Sequence, residues 1–245
     1  MAYGIPDMSK NELQREVAYR RILDLIVSGD LPPNEPLSER GLSAQLSIGR
    51  MPIREAIRDL ARDGVLDILP VRGTFVRAIT DEQIHELFDI RQSLECLAVQ
   101  RAAERGPTPE LLEFGQALRE SVDDTSTDND LDTIYKTGVE FHVELVRASG
   151  NALLLEMYLP LRVRYRVLMG LAQFYDQDWV RAGVDDHLAI LDAVEQRDST
   201  LARERMSAHL ERSYQSKLKI IEDMRSNPSL AGTGSSTVLP FTRIR

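Results

Sequence analysis

The stretch LSIGRMPIREAIRDLARDGVL, from Leu46 to Leu66, decides the fold of the first part of the chain. Its apolar side chains recur at helical spacing, which predicts an amphipathic helix. The opposite face carries arginine at every fourth position, namely Arg50, Arg54, Arg58 and Arg62. The first two lie at the start of the helix, where the helix dipole disfavours cations. The pattern therefore indicates that these arginines have a role other than stabilising their own helix.

The segments on either side of this helix predict a winged helix-turn-helix. A helix from Leu13 to Val27 and a short helix capped by Ser38 come before it. Two short strands, 65–69 and 74–76, follow it and are joined by the turn at 70–73. In such a domain the N-terminal residues of the third helix meet base edges, and arginine binds guanine or phosphate. The alternative is a solvated helix face, and spacing alone leaves both open.

The rest of the chain predicts a helical bundle, because strand signals vanish from Thr80 onward and long amphipathic segments alternate with short breaks. The six predicted helices span 81–105, 108–123, 129–149, 151–174, 178–197 and 199–225. We therefore predict a mostly α protein with three parts. A winged helix-turn-helix at 1–79 is joined to an all-helical domain at 80–226, and a tail follows at 227–245.

Charge and composition limit the class of protein. The net charge is −9, yet residues 1–79 hold 11 basic and 11 acidic residues, so a neutral first domain can still present a basic face. No apolar run is long enough to span a bilayer, and we find no secretory signal. The single cysteine, Cys96, excludes an internal disulfide and predicts a buried structural thiol in a cytoplasmic protein.

Three of the four histidines, His142, His187 and His209, each lie on the apolar face of a different predicted helix. Neutral imidazoles directed into one bundle core can chelate Zn, Ni, Mn or Fe. The alternative is three core histidines satisfied by hydrogen bonds, since no close-spaced ligand motif is present.

The run LPPNEPLSERGLSAQLSIGRMPIREAIRDLARDGVLDILPVRGTFV resembles the DNA-binding domain of GntR-type bacterial transcription regulators, and the resemblance extends over residues 13–78. The second part resembles the FCD effector domain of the FadR-like branch, and its six helices are similar to the VanR-type subgroup. The motifs that carry this second resemblance are LFDIR at 87–91, Phe141-His142, ASGN at 148–151 and the pair His187 and His209.

The resemblance implies a set of DNA-binding residues. They are Arg40, Gly49, Arg50, Met51, Pro52 and Arg54 around the recognition helix, with Arg72 and Gly73 on the wing. Gly49 stands where the family usually has a serine that caps the helix and contacts phosphate, so one hydroxyl contact is lost. Met51 can contact only apolar features, such as a thymine methyl group.

The resemblance also implies a metal site formed by His142, His187 and His209, in which the family adds an aspartate one turn before the first histidine. That position is Gly138 here, so we expect a divalent metal to bind more weakly, with ligands from outside the protein. We expect Gly138→Asp to tighten binding. The implied effector-binding residues are Arg91, Glu95 and Asn151. Arg91 can grip an effector carboxylate; the alternative is an ion pair with Glu95 at i, i+4 spacing.

These features predict a ligand-responsive transcription regulator, a repressor of a metabolic operon, whose homodimer binds a palindromic operator in double-stranded DNA. Its effector is a small organic acid, held in part through the metal, and we expect no membrane association and no enzymatic activity. One alternative is a zinc-dependent hydrolase that uses the three histidines. Another is an architectural DNA-binding protein without a ligand.

Overall fold

The structure, a computed structural model, describes residues 10–33, 35–78, 80–123, 131–168 and 177–226. The described residues form two compact units. The first contains residues 10–81 and 163–168, and the second contains residues 82–162 and 177–226. None of the described helices is both long enough and apolar enough to cross a membrane.

The first unit is a winged helix-turn-helix, as the sequence predicts. Its elements in chain order are α1 (Lys10–Val27), β1 (Pro36–Leu37), α2 (Glu39–Leu46), α3 (Arg50–Arg62), β2 (Leu66–Leu69) and β3 (Gly73–Val76). The sheet is antiparallel and its strand order is β1-β3-β2. Strand β1 is not among the predicted elements, because two residues that include a proline carry no periodicity.

Local signals explain where the helices of this unit begin and end. The Ser38 hydroxyl accepts a hydrogen bond from the Gly41 amide at 3.1 Å, which caps α2 as predicted. Ser47 follows α2 in the left-handed region, with φ of 55°, and so turns the chain towards α3. The apolar face of α3 then packs into the core, where Ile53 and Leu60 are fully buried. The arginines of α3 are thereby left on the outer face.

The second unit is all-helical in its described part, which agrees with the prediction. Its helices are α4 (Asp81–Arg105), α5 (Pro109–Asp123), α6 (Leu131–Ala148), α7 (Ala152–Leu168), α8 (Gln177–Glu195) and α9 (Ser199–Ser226). The last residues of α7, from 163, belong to the first unit. Predicted helical residues at 129–130 and 169–174, and the tail at 227–245, lie outside the described residues.

Side chains from α4, α5, α6, α8 and α9 form one apolar core in the second unit. Phe141, Leu191 and Met206 are fully buried in it. Cys96 is buried in the same core, and burial raises the pKa of its thiol, which agrees with the predicted structural role. Because α6, α8 and α9 each contribute a histidine beside this core, the core positions the candidate site.

Candidate functional site

The three predicted histidines meet inside the second unit. His142 on α6, His187 on α8 and His209 on α9 are all buried. The Nε2 atom of His142 lies 3.1 Å from that of His187 and 3.2 Å from that of His209. The Nε2 atoms of His187 and His209 are also 3.2 Å apart. In the described part of the chain this is the group of side chains that could hold a metal ion.

The spacing of these nitrogens fits a shared metal ion. Imidazole nitrogen binds Zn²⁺ at about 2.0–2.1 Å, so neighbouring ligand atoms in a tetrahedral or octahedral shell are roughly 2.9–3.4 Å apart. All three Nε2 separations, 3.1, 3.2 and 3.2 Å, fall within that range. Three nitrogens would occupy one side of the metal's coordination shell and would leave its remaining coordination positions open to other ligands.

Two carboxylates hold two of the rings in the orientation that a metal requires. His142 Nδ1 lies 2.7 Å from Glu95 Oε2, and His209 Nδ1 lies 3.1 Å from Asp186 Oδ2. An ionised carboxylate accepts hydrogen bonds and cannot donate them, so each Nδ1 carries the proton and each Nε2 presents its lone pair.

Both carboxyl groups are held in the ionised form. Burial raises the pKa of Glu95, but the charges of Arg91 and His142 outweigh burial and the pKa is lowered overall. Burial likewise acts to raise the pKa of Asp186, yet hydrogen bonds from His209 and Arg212 lower it. The two acceptors therefore remain anionic at neutral pH.

These proton positions bear on the alternative of three hydrogen-bonded core histidines. If His142 and His209 both carry their protons on Nδ1, only His187 can donate from Nε2. At most two of the three contacts between Nε2 atoms are then hydrogen bonds. In the remaining contact, 3.2 Å between His142 and His209, two nitrogen lone pairs face and repel each other. A cation between the nitrogens removes that repulsion, so the donor set fits a metal better than it fits a hydrogen-bonded core.

Burial favours the neutral form of two of the imidazoles, those of His187 and His209. Burial lowers the pKa of His187 well below its usual value, and nearby positive charge lowers it further. Burial also lowers the pKa of His209 to about 4, although the hydrogen bond to Asp186 opposes this shift. Neutral imidazole is the form that binds metal.

Gly138 lies one turn before His142 on α6, and the structure revises the expectation for its substitution. A Cβ atom at this position would lie 2.9 Å from Cε1 and 3.2 Å from Nδ1 of His187. The first distance is shorter than side chains tolerate, so the His187 ring would have to move before an aspartate could fit. We therefore do not expect Gly138→Asp simply to add a ligand to the existing site.

Arg91 and Glu95 form the buried ion pair that their spacing allows. Arg91 Nε donates to Glu95 Oε1 at 2.6 Å, and the two side chains are 3% and 0% exposed. The Tyr158 hydroxyl donates to the same oxygen at 3.1 Å. Glu95 thus binds Arg91, Tyr158 and His142 together.

Asn151, the third predicted effector-binding residue, is exposed. Its Oδ1 accepts a hydrogen bond from the Leu154 amide at 3.1 Å, which gives Asn151 a helix-capping role at the start of α7.

The residue pattern did not identify Tyr158, Asp186 or Arg212 as neighbours of the histidines. Arg212 and His209 both bind Asp186, although Asp186 belongs to a different helix. The sequence shows only that Asp186 comes directly before His187, which would suggest that these two residues interact. In the structure the Asp186 carboxylate contacts His209 instead.

The DNA-binding candidates lie on the first unit. Arg40, Arg50 and Arg72 are exposed and have no ion pair with any residue that the structure describes. Arg54 is also exposed, but its guanidinium binds Glu39 of α2, with Nη2 2.9 Å from Oε2.

The remaining DNA-binding candidates differ in exposure. Met51 is 58% exposed, and Gly49 and Gly73 also lie on the surface. Pro52 departs from the prediction, because its ring is buried against the domain in the first turn of α3 and is not available to DNA.

Comparison with known protein families identifies the family to which the chain belongs. Residues 86–212 match the FCD domain, and residues 14–76 match the family described as bacterial regulatory proteins, gntR family. The chain belongs to the GntR family. It is therefore a transcription regulator with an N-terminal DNA-binding domain and an FCD domain.

Two curated relatives of this GntR regulator are similar over most of their length. One is the Nta operon transcriptional regulator of Aminobacter aminovorans, 29% identical over 80% of this chain and 91% of the relative. The other is a probable D-xylose utilization operon transcriptional repressor of Paenarthrobacter nicotinovorans, 28% identical over 83% of this chain and 90% of the relative.

Solved structures support the fold of the GntR regulator. The structure of E. coli McbR/YncC matches with a TM-score of 0.72 and 23% identity, covering 84% of this chain and 97% of that one. A GntR regulator from Rhodococcus sp. RHA1 matches with a TM-score of 0.67 and 22% identity, over 84% and 98% of the two chains.

Proposed function

We propose that this GntR regulator is a ligand-responsive repressor of a metabolic operon, whose homodimer releases its operator when a small carboxylate binds a metal-containing FCD domain. The observation that carries the proposal is the convergence of three buried Nε2 atoms at 3.1–3.2 Å, two of them backed by carboxylates. The relative named as a probable repressor of a D-xylose utilization operon supports repression of a metabolic operon, and the relative named as the Nta operon regulator supports control of an operon.

The exposed arginines support operator binding by the first unit. Arg50 begins α3 and lies beside the exposed Met51, so both side chains can enter a major groove. Arg40 and Arg72 add positive charge on α2 and on the turn between β2 and β3. Since no described acidic side chain neutralises these three arginines, they remain available to phosphate or guanine.

Exposed apolar side chains on two neighbouring helices support a homodimer. Ala98 of α4 packs with Leu154 of α7 inside the second unit. The same two helices leave large apolar side chains in solvent: Ile90 (45% exposed) and Leu97 (40%) on α4, and Leu153 (64%) and Met157 (55%) on α7. A second copy of the same face would cover them, and one helix-turn-helix per chain needs a twofold partner to bind a palindrome.

The three histidines would hold the metal, and the bound ion would supply Lewis acidity for binding an anionic effector. Glu95 and Asp186 orient two of the rings, while Arg91 and Tyr158 hold Glu95 in place. Both carboxylates already bind an imidazole Nδ1, so neither is positioned as the general base that a hydrolase needs. This arrangement supports a binding site and argues against the zinc hydrolase.

The test measures operator binding as a function of both proposed ligands. Operator duplexes would be selected from random DNA by the dimeric protein and titrated by fluorescence anisotropy, with zinc or with a chelator. Small carboxylates would then be added singly. A carboxylate must bind the two conformations with different affinity if it is to release DNA. If DNA affinity is the same in every condition, the protein is an architectural binder and the proposal is wrong.

A further inference from the structure

The turn between β2 and β3 places a β-branched residue where the backbone favours glycine. The Arg72 amide donates a hydrogen bond to the Leu69 carbonyl at 3.2 Å, which closes a four-residue turn around Pro70 and Val71. Val71 is the third residue of this turn and has a φ of 66°. Glycine and asparagine adopt a positive φ at that position readily, whereas a β-branched residue does so only under strain.

The Val71 side chain gains no packing from the fold in return. It is fully exposed, so it packs against none of the described residues. Ile68 and Leu69 are 50% and 38% exposed, and Pro70 also lies on the surface. Single exposed apolar side chains are ordinary, but here four successive ones are exposed at one end of a hairpin and one of them is strained. We call residues 68–72 the wing tip, and we expect its binding partner outside the chain.

The charge of the wing tip fits nucleic acid. Arg72 is exposed and has no ion pair with any residue that the structure describes. Asp67 is the single acidic residue of the sequence from 65 to 77, and Arg77 binds it, with Nε 3.0 Å from Oδ1. The wing tip therefore combines apolar side chains with a cation that remains available to phosphate.

The hairpin and the recognition helix are packed into one core. Ile57 and Leu60 of α3 share that core with Leu66 and Val76, which pair at the end of the hairpin farthest from the turn. With α3 in a major groove, a hairpin that projects from the same core reaches the neighbouring minor groove. That groove is about 6 Å wide and paired strands are already about 4.8 Å apart, so only side chains of the turn can enter it.

We propose that Val71 inserts into the minor groove of the operator, beside the sequence bound by α3, and packs there against A·T base pairs. Guanine places its N2 amino group in this groove, whereas A·T pairs leave the groove free for an apolar side chain. Arg72 lies next to Val71 and binds phosphate. The inference rests on the operator binding proposed above and makes Val71 a residue that determines sequence preference. It does not depend on the metal or the effector.

The experiment compares three substitutions at position 71 of the full-length protein. Val71→Ile is the matched control, because it keeps an apolar, β-branched side chain. Val71→Asn puts a polar side chain at the same place, and Val71→Gly removes the side chain. Operators are selected from random DNA with the parent, and the affinity of each protein is measured by fluorescence anisotropy. Stability is measured by urea unfolding followed by circular dichroism.

The Asn and Gly variants should be more resistant to urea than the parent, because both residues adopt a positive φ at lower cost. They should nevertheless bind the operator at least about fivefold more weakly, because the apolar contact is lost. Val71→Ile should bind as tightly as the parent. Operator affinity that is unchanged in the Asn and Gly variants would overturn the inference and leave operator binding by α3 intact. A parent that binds no DNA would refute the proposed operator binding together with it.

A second measurement changes the DNA and leaves the parent protein as it is. Replacing adenine by 2,6-diaminopurine adds an amino group in the minor groove and preserves the major-groove edge that α3 contacts. Each adenine of the selected operator is replaced in turn. The parent should lose affinity at positions that flank the α3 site, and Val71→Gly should be insensitive there. Equal responses of the two proteins at every position, or a selected operator without A·T pairs beside the α3 site, would also overturn the inference.

Discussion

Replacing Glu95 by glutamine tests the buried network that supports the candidate site. Glutamine keeps the shape of the side chain and one acceptor oxygen, but it removes the negative charge. That charge faces Arg91 Nε at 2.6 Å, and the two side chains are 3% and 0% exposed. The substitution therefore isolates the electrostatic part of the contact.

The expected loss is large because both groups are out of water. Removing one partner of a buried ion pair costs about 3–5 kcal/mol, and we expect the lower end because glutamine retains some hydrogen bonds. For a domain of this size, 3 kcal/mol corresponds to a fall in Tm of roughly 6–12 °C. Adding Arg91→Gln to the variant should restore part of the stability, because it removes the buried cation as well.

The assay is urea unfolding followed by tryptophan fluorescence. Trp179 is the single tryptophan and lies on α8, so its signal reports the second unit. Glu104→Gln is the control on the same helix, because Glu104 and its partner Arg101 are 52% and 58% exposed and such pairs contribute at most about 1 kcal/mol. If Glu95→Gln destabilises the protein no more than Glu104→Gln does, the reasoning about the buried network is wrong.

The same network should show a defined pH dependence. Burial raises the pKa of Glu95, but Arg91 and His142 lower it further than burial raises it. A lowered carboxyl pKa contributes stability that is present above the unfolded value, near about 4.3, and is lost as pH falls through the folded value. The difference in unfolding free energy between the parent and Glu95→Gln should therefore stay constant from pH 7 to pH 5 and shrink only in stronger acid.

Four further outcomes are expected. Arg50→Ala and Arg54→Ala should each cost about 1–3 kcal/mol of operator affinity if the arginine binds a base. If the arginine binds phosphate, the slope of the logarithm of the binding constant against the logarithm of salt concentration should fall in magnitude by about one. Unchanged binding isotherms for both variants would exclude α3 as the recognition helix. Val71 has a φ of 66°, which is strained for a β-branched residue, so Val71→Gly should raise the free energy of unfolding by up to about 1 kcal/mol in urea. Because burial lowers the pKa of His209 to about 4, the metal-free protein should lose about 3 kcal/mol of stability between pH 6.5 and pH 4, where only the unfolded chain takes up the proton; a flat profile would contradict this. Met157→Glu should convert the proposed dimer to monomers in sedimentation experiments, and an unchanged mass would remove the α4–α7 face as its interface.

The sequence by itself determined the elements and most of their faces. The spacing of apolar residues in α3, the Ser38 cap and the glycine-containing breaks depend on contacts within a few residues, and such contacts are visible in the local pattern. The same periodicity placed His142, His187 and His209 on buried faces of three helices. The family motifs in the sequence are sufficient to identify the DNA-binding and FCD domains.

Only the tertiary structure decided which atoms meet. The convergence of three Nε2 atoms depends on how α6, α8 and α9 are rotated and shifted against one another, and helical periodicity carries no information about those shifts. For the same reason the pairing of Asp186 with His209 was not predictable from the sequence. Gly138 is the clearest case. The sequence showed a missing aspartate, whereas the packing of α6 against α8 places the His187 ring where a side chain at position 138 would go.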